Sequence, residues 1–380
     1  MGPLLLIDKS AIQSFSPAET NALHRHYSVI TCPILIQEIK ANLVKHPEDP
    51  ALSQNKVATL ADKADGFGGF TIDHHNVLCY ASLMGAQFRL WPQIPRFDGK
   101  EEIDKHGRRG VVFEEAPERK SLARMANKDF SEEDFEQAKR HVQALSETDL
   151  EAIHKENISM FPENTAVKSF LDLVSFLDNP RRDSQKETLS TIEAIMKALQ
   201  FSEVAKQRVR HRWEVFGRPS MRQFSEYGHY FHRVDILFHV GLTAGLIPTS
   251  RRSKAIIDYQ YLFYAPFAHA FCSGDSFHRE FSKHLLRPDQ EFIWAADLKK
   301  DLKVISDCHA SMSATDRKWY IRNFGNRPPP IRESLTVQLW ETFIGPWKMG
   351  SGNRAADIPP EDHKRIIEQL EAGFLPPELQ

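Results

Sequence analysis

Cysteine is scarce in this chain. The four residues, Cys32, Cys79, Cys272 and Cys308, lie far apart, and no two form a CxxC pair. That spacing argues against a thiolate zinc site. Cys32 and Cys272 fall in apolar, strand-like runs and read as buried thiols, a pattern that suits a reducing cytoplasm. Long hydrophobic runs are missing too. The apolar stretch from Val234 to Ile247 is too short to span a bilayer and carries Asp235 and His239. The opening MGPLLLIDKS has no basic n-region, and its apolar run is too short for a secretory signal. The expectation is a soluble, cytoplasmic protein with no membrane contact. A formal net charge of −2 excludes a uniformly basic nucleic-acid coat, while 49 Lys and Arg leave room for a local basic groove. The chain has no Walker A motif, no GxGxxG after a strand and no GxSxG, so nothing supports a P-loop NTPase, a Rossmann dehydrogenase or an α/β-hydrolase.

What is present is an α/β pattern at both ends of a helical middle. The 380 residues suffice for two or three domains, or for one with a large insertion. Pro3 to Ile7 is an apolar run of the kind found in buried parallel strands. Ser16-Pro17 marks a helix start, Tyr27 to Cys32 reads as a second strand, and Pro33 opens a helix with Ile34, Leu35, Ile39 and Leu43 on one face. The pattern returns after 250: helix from Ala255 to Ala265, strand from His269 to Ser273, helix from Ser276 to Leu286, strand from Glu291 to Ala295, and a helix capped by Asp297. Between them the segment RFDGKEEIDKHGRRG is expected to be an exposed loop, Ser146 and Asp149 supply capping-box chemistry, and Ser220 to Leu246 is the most apolar helical piece. A short amphipathic helix is expected near Pro360 to Ala372. The organisation this predicts is a discontinuous domain of residues 1–45 and 250–306, a mainly helical insertion of 46–249, and a C-terminal extension of 307–380 with a Pro-rich segment.

Four carboxylates stand out against this layout. Asp8 ends PLLLID, Glu38 sits inside PILIQEIKANL, and Asp258 and Asp275 open and close IDYQYLFYAPFAHAFCSGD. Each lies at the edge of a buried element, where an unpaired carboxylate is expensive. Four such acids brought together would repel one another unless a hard cation sat between them.

In order and context these residues resemble the PIN-domain nucleases. That family begins with a strand ending in Asp and a nearby Ser or Thr, here Asp8 and Ser10 in LLLIDKSAI. A Glu follows on the second helix, here Glu38 in CPILIQEI. An Asp then opens a late helix, and a strand ending in Ser or Thr, one residue and Asp follow, here Asp258 and then Ser273 and Asp275. The resemblance covers about residues 3–45 and 250–306, with the helical block between Glu38 and Asp258. It implies a PIN-like α/β fold, a mainly parallel sheet flanked by helices. It also implies that Asp8, Glu38, Asp258 and Asp275 hold Mg²⁺ or Mn²⁺ directly or through water, that Ser10 and Ser273 support them, and that the ions activate water for phosphodiester hydrolysis. The expected substrate is a nucleic acid, RNA ahead of DNA, and a homo-oligomer is expected because such enzymes are often dimers.

Other features carry weaker messages. Arg251, Arg252 and Lys254 precede Asp258 and could hold phosphates flanking a scissile bond, whereas KQRVRHRW reads equally well as a solvated helix face. Tyr227, Tyr230 and Phe231 could stack bases, but core packing is the simpler reading. His278 and His284 read as surface or packing residues. Ile72-Asp73-His74-His75 resembles the DHH phosphoesterase signature at one tripeptide only, and an ordinary polar turn entering a helix accounts for it. Two alternatives to a nuclease follow: a binding or scaffold module that keeps the fold without catalysis, and a small-molecule phosphoesterase centred on Asp73 and His75.

Overall fold

The computed structural model describes residues 2–346 apart from 67–69, 98, 104–106, 108, 113–114, 149, 161–166, 178–183 and 248–251. The elements run β1 (Leu4–Ile7), α1 (Lys9–Ser14), α2 (Pro17–His26), β2 (Ser28–Thr31), α3 (Pro33–Lys40), α4 (Pro50–Ala64), β3 (Phe70–Thr71) and α5 (His75–Met84). The hairpin β4 (Lys100–Ile103) and β5 (Arg109–Val112) comes next. A helical stretch follows: α6 (Pro117–Ala126), α7 (Glu132–Glu147), α8 (Leu150–Met160), α9 (Phe170–Leu177), α10 (Gln185–Ala198), α11 (Glu203–Val215), α12 (Met221–Phe224), α13 (Glu226–Thr243) and α14 (Arg252–Leu262). The chain continues through β6 (Ala270–Ser273), α15 (Ser276–Leu285), β7 (Glu291–Trp294), α16 (Ala295–Ser311), α17 (Ala314–Phe324) and α18 (Leu335–Phe343).

The core is a five-stranded sheet in the order β3-β2-β1-β6-β7, parallel at every pairing. Its inner strands are apolar runs because helices cover both faces. Leu5, Leu6, Ile7, Val29, Ile30, Phe271 and Cys272 are all fully buried. The fold class is therefore the expected one, a mixed α/β architecture with a parallel sheet flanked by helices. β3, which follows α4, pairs in parallel with β2 and forms one edge of that sheet. Among the described residues no helix is long and apolar enough to cross a membrane.

Local chemistry sets the element ends. Ser16 forms a reciprocal capping box with Glu19 at the start of α2, and Pro occupies the first turn of α2, α3, α4 and α6. Three expectations need correction. The segment around residues 100–112 is a paired antiparallel hairpin rather than a loop, because Glu101 and Val111 lie in register between their neighbours. The helix after β7 begins at Ala295, and Asp297 lies in its first turn instead of capping it. Ser146 donates to the Gln143 carbonyl inside α7. Asp149, its expected capping partner, and the helix expected near 360–372 lie outside the described residues.

The last described helix is tied to the sheet by polar groups. Asp301 on α16 accepts from the backbone N–H of Leu335 (3.0 Å) and Thr336 (2.8 Å). Tyr27 donates to Thr336 Oγ1, and the Trp340 indole donates to the His26 carbonyl. Asp301 thus serves two of the orphan N–H groups at the start of α18. The Asp301→Ala substitution is expected to lower stability by about 1–2 kcal/mol, read by urea denaturation.

Candidate functional site

The strand order places a topological switch point between β1 and β6. The chain leaves β1 toward β2 on one side and passes from β6 to β7 on the other. In open α/β sheets ligands bind outside the carboxyl ends of strands at such a point. Asp8 follows the last residue of β1, and Ser273 and Asp275 end and follow β6, so the two sides of the crevice carry these groups.

Asp8 is held from several directions. Its carboxylate caps α1 by accepting from Ala11 N–H at 2.9 Å. Ser10 Oγ lies 2.9 and 2.8 Å from its two oxygens, and Ser273 Oγ donates to Oδ2 at 2.7 Å. Gly274 N–H in turn donates to Ser10 Oγ. A Cβ at position 274 would stand 3.1 Å from that oxygen, so the SGD turn leaves little room for a side chain there. Behind Ser273 stands His278, which is wholly buried. Its Nδ1 lies 2.7 Å from Ser273 Oγ and 3.5 Å from Asp8 Oδ2, and its Nε2 donates to the Asp258 carbonyl at 2.7 Å.

The contacts suit a charged pair. Ser273 Oγ accepts from Asp275 N–H at 2.9 Å and donates to Asp8, so its remaining lone pair takes the Nδ1–H of His278. Both ring nitrogens of His278 then donate, and the ring is an imidazolium. The electrostatics agree. Burial works against both charged groups, yet their mutual attraction and hydrogen bonds hold Asp8 below the usual carboxylate range and His278 above the usual imidazole range.

The other acids differ from Asp8. Glu38 accepts from the Tyr261 hydroxyl at 2.6 Å and has Lys9 Nζ at 3.8 Å. Burial raises Glu38 above its ordinary range, with Lys9 and Tyr261 opposing that rise. Burial also lowers the Lys9 ammonium to about 8 despite the pull of Glu38. Asp258 is pushed up to about 7, first by burial and then by the negative charges of Asp275, Glu38 and Asp8, against the opposing pull of His278. The four acids therefore form one electrostatic group. Asp275 caps α15, accepting from Phe277 N–H at 2.7 Å.

No family model, curated protein or solved structure matches the chain. The site therefore has to be read from its own chemistry. Among the described residues no three His, Cys, Asp or Glu stand close enough to hold a metal ion as they are placed. The donor set still fits a hard divalent ion in kind. It consists of oxygen ligands; burial raises Asp258 first and the neighbouring carboxylates add to that rise, so a cation would favour its charged form.

The remaining sequence candidates divide. Ser10 and Ser273 both hydrogen-bond Asp8. Lys254 is exposed on α14 one turn before Asp258. Arg251 and the side chain of Arg252 lie outside the described residues. The aromatic residues Tyr227, Tyr230 and Phe231 are buried in the core. His75 is buried against Phe263 and Tyr264. Three members of the site escaped sequence reasoning: His278, Tyr261 and Lys9. A signal existed for two of them, since Tyr261 follows Asp258, and His278 follows Asp275, by one short helical step on the same face.

Proposed function

We propose that the protein is a PIN-like, Mg²⁺- or Mn²⁺-dependent nuclease that hydrolyses phosphodiester bonds of RNA. One observation carries this reading: Asp8 and Asp275 lie at the carboxyl ends of β1 and β6, with Ser10 and Ser273 on Asp8 and with Glu38 and Asp258 in electrostatic reach. Such a group of acids at a sheet's switch point is poorly explained as a structural feature, since each buried like charge adds strain to the next. Glu38, Asp258 and Asp275, with Asp8, would hold the ions. When bound, these ions would supply a nucleophilic water and neutralise charge at the phosphate. The chain's own residues set the frame. His278, Ser273 and Ser10 orient the Asp8 carboxylate, and Tyr261 fixes the rotamer of Glu38. Lys9 is the nearest cation to Glu38 and would support phosphate charge on that side.

The test is cleavage of labelled single-stranded RNA and DNA with Mg²⁺, Mn²⁺ or EDTA. Wild type is expected to cut RNA only when metal is present. Glu38→Gln, which keeps an acceptor for Tyr261, is expected to lose activity by on the order of 10²–10³. Undiminished cutting in EDTA, or full activity in Glu38→Gln, overturns the reading.

A second reading, a non-catalytic binding module, is favoured by a different observation. The Asp8 oxygens are already occupied by Ala11, Ser10, Ser273 and His278. Calorimetric titration with Mn²⁺ separates the two, because a module of this kind has no binding that disappears on the Asp258→Asn substitution.

A further inference from the structure

A cavity of about 320 Å³ is lined by α3, α5, α7 and α14, with Gln37 and Ile257 next in sequence to Glu38 and Asp258, and lies within the roughly 300–1,000 Å³ span of small-ligand sites. Its polar lining comes from Gln37, His74, His75, Asn76, His141, Thr148 and Gln260. We propose that this cavity takes up one unpaired base of a single-stranded RNA, next to the phosphate at the acid site. The position of that base relative to a scissile bond rests on the nuclease reading above; the binding itself does not.

The lining decides the ligand class. No Lys, Arg, Asp or Glu is among the described residues around the cavity, so a phosphate or a carboxylate would find no counter-charge there. Gln37, Asn76 and Gln260 offer amides that both donate and accept, as the mixed edge of a nucleobase requires. Burial favours the uncharged form of His74, His75 and His141, which keeps the lining polar without a net charge. His74 is the half-buried ring of the lining, backed by His75 with ring centres 4.2 Å apart, and His75 is in turn stacked on Phe263 at 4.7 Å. Stacking on such rings is how single strands are held when base pairing is absent.

The cavity and the acids share their elements. On α3, Gln37 lines the cavity and Glu38 belongs to the acid site. On α14, Ile257 and Gln260 face the cavity, and Tyr264, just after its end, holds the backbone N–H of His75 at 3.1 Å. The adjacent stripe of α14, Asp258 and Tyr261, serves the acids. His141 is also within electrostatic reach of Lys9, the neighbour of Glu38. A strand with its phosphate at Asp258 therefore has a base-sized recess at the next helical position. Neutral polar rings and amides would distinguish bases by hydrogen bonding, which the acid site cannot do.

The experiment uses the full chain and a labelled single-stranded RNA, alongside strands carrying one abasic nucleotide stepped along the sequence. Binding is read by fluorescence anisotropy in EDTA, and cleavage of the same strands is read in Mg²⁺ and in Mn²⁺. One abasic position is expected to weaken binding about tenfold. That loss is expected to vanish in Gln260→Leu and in Gln37→Leu, which bind the intact strand only as tightly as the abasic one. Equal binding of every abasic strand overturns the proposal, and so does an abasic loss that persists in both variants. Cutting without base-dependent binding leaves the nuclease reading intact and removes this one. Base-dependent binding without cutting does the reverse, and absence of both overturns both.

Discussion

The Asp258→Asn substitution is expected to raise stability at pH 8 by about 1–3 kcal/mol and, in the same protein, to abolish metal-dependent RNA cleavage. Asp258 is raised to about 7 in the folded protein, well above an ordinary carboxyl. The folded state therefore binds more protons than the unfolded one between the ordinary carboxyl range and pH 7. Stability contributed at this position falls as pH rises through that window and stays low above it. A neutral amide has no such dependence, so the gain is absent below about pH 4 and complete above about pH 7. Solvent screening holds the gain below the full linkage value, because Asp258 is only partly enclosed. Urea denaturation at pH 5 and pH 8 measures it. Mg²⁺ adds a second arm: it is expected to stabilise wild type and not the variant, since only a state that binds the ion is favoured by it. No gain at pH 8 would show that Asp258 is not strained by its neighbours. A variant that is both stabler and inactive is the signature of a functional acid, held where folding alone would not put it.

Much of this site could be read from the sequence because its parts are local. A parallel strand that ends in Asp and enters a helix fixes Asp8 as a cap, and the SGD turn after β6 fixes Ser273 and Asp275 relative to it. The parallel class of the sheet follows from apolar runs buried on both faces. What escaped depends on contacts remote in sequence. His278 sits beside the apolar stripe of Phe277, Phe281 and Leu285, and its spacing from Asp275 alone does not say that the ring is buried. Its role depends on Ser273 and Asp8 arriving from two other elements. The hairpin of β4 and β5 carries Glu101, Glu102 and Arg109, a composition that argues for loop, and its pairing is decided across the turn instead. The histidine-lined cavity is assembled from α3, α5, α7 and α14, so no window of sequence contains it.

His278→Leu is expected to destabilise the protein by about 3–5 kcal/mol, the largest effect of any single change here. The loss has two parts. Leu fills most of the ring's volume, so little of it is cavity. The main part is Asp8, which is 4% exposed and would keep its negative charge in the interior with its cationic partner gone. Ser273 would also lose one of the three hydrogen bonds that hold its hydroxyl in place. The double variant Asp8→Asn/His278→Leu is expected to recover part of the loss, because no buried charge is then left unpaired. pH separates the ionic contribution from packing. His278 is raised above the ordinary imidazole range, so its contribution is complete below about pH 6.5 and disappears as pH rises through the raised value. Asp8 is lowered, so its contribution is complete above about pH 4 and disappears as pH falls through the lowered value. The stability of wild type minus that of the double variant should therefore form a plateau between about pH 4 and 6.5 and decline on both sides. Denaturation curves across that range give the profile directly. A flat difference would mean that His278 is neutral and that Asp8 is held by Ser10 and the Ala11 N–H. Ser273 would then donate to the ring instead of to the carboxylate.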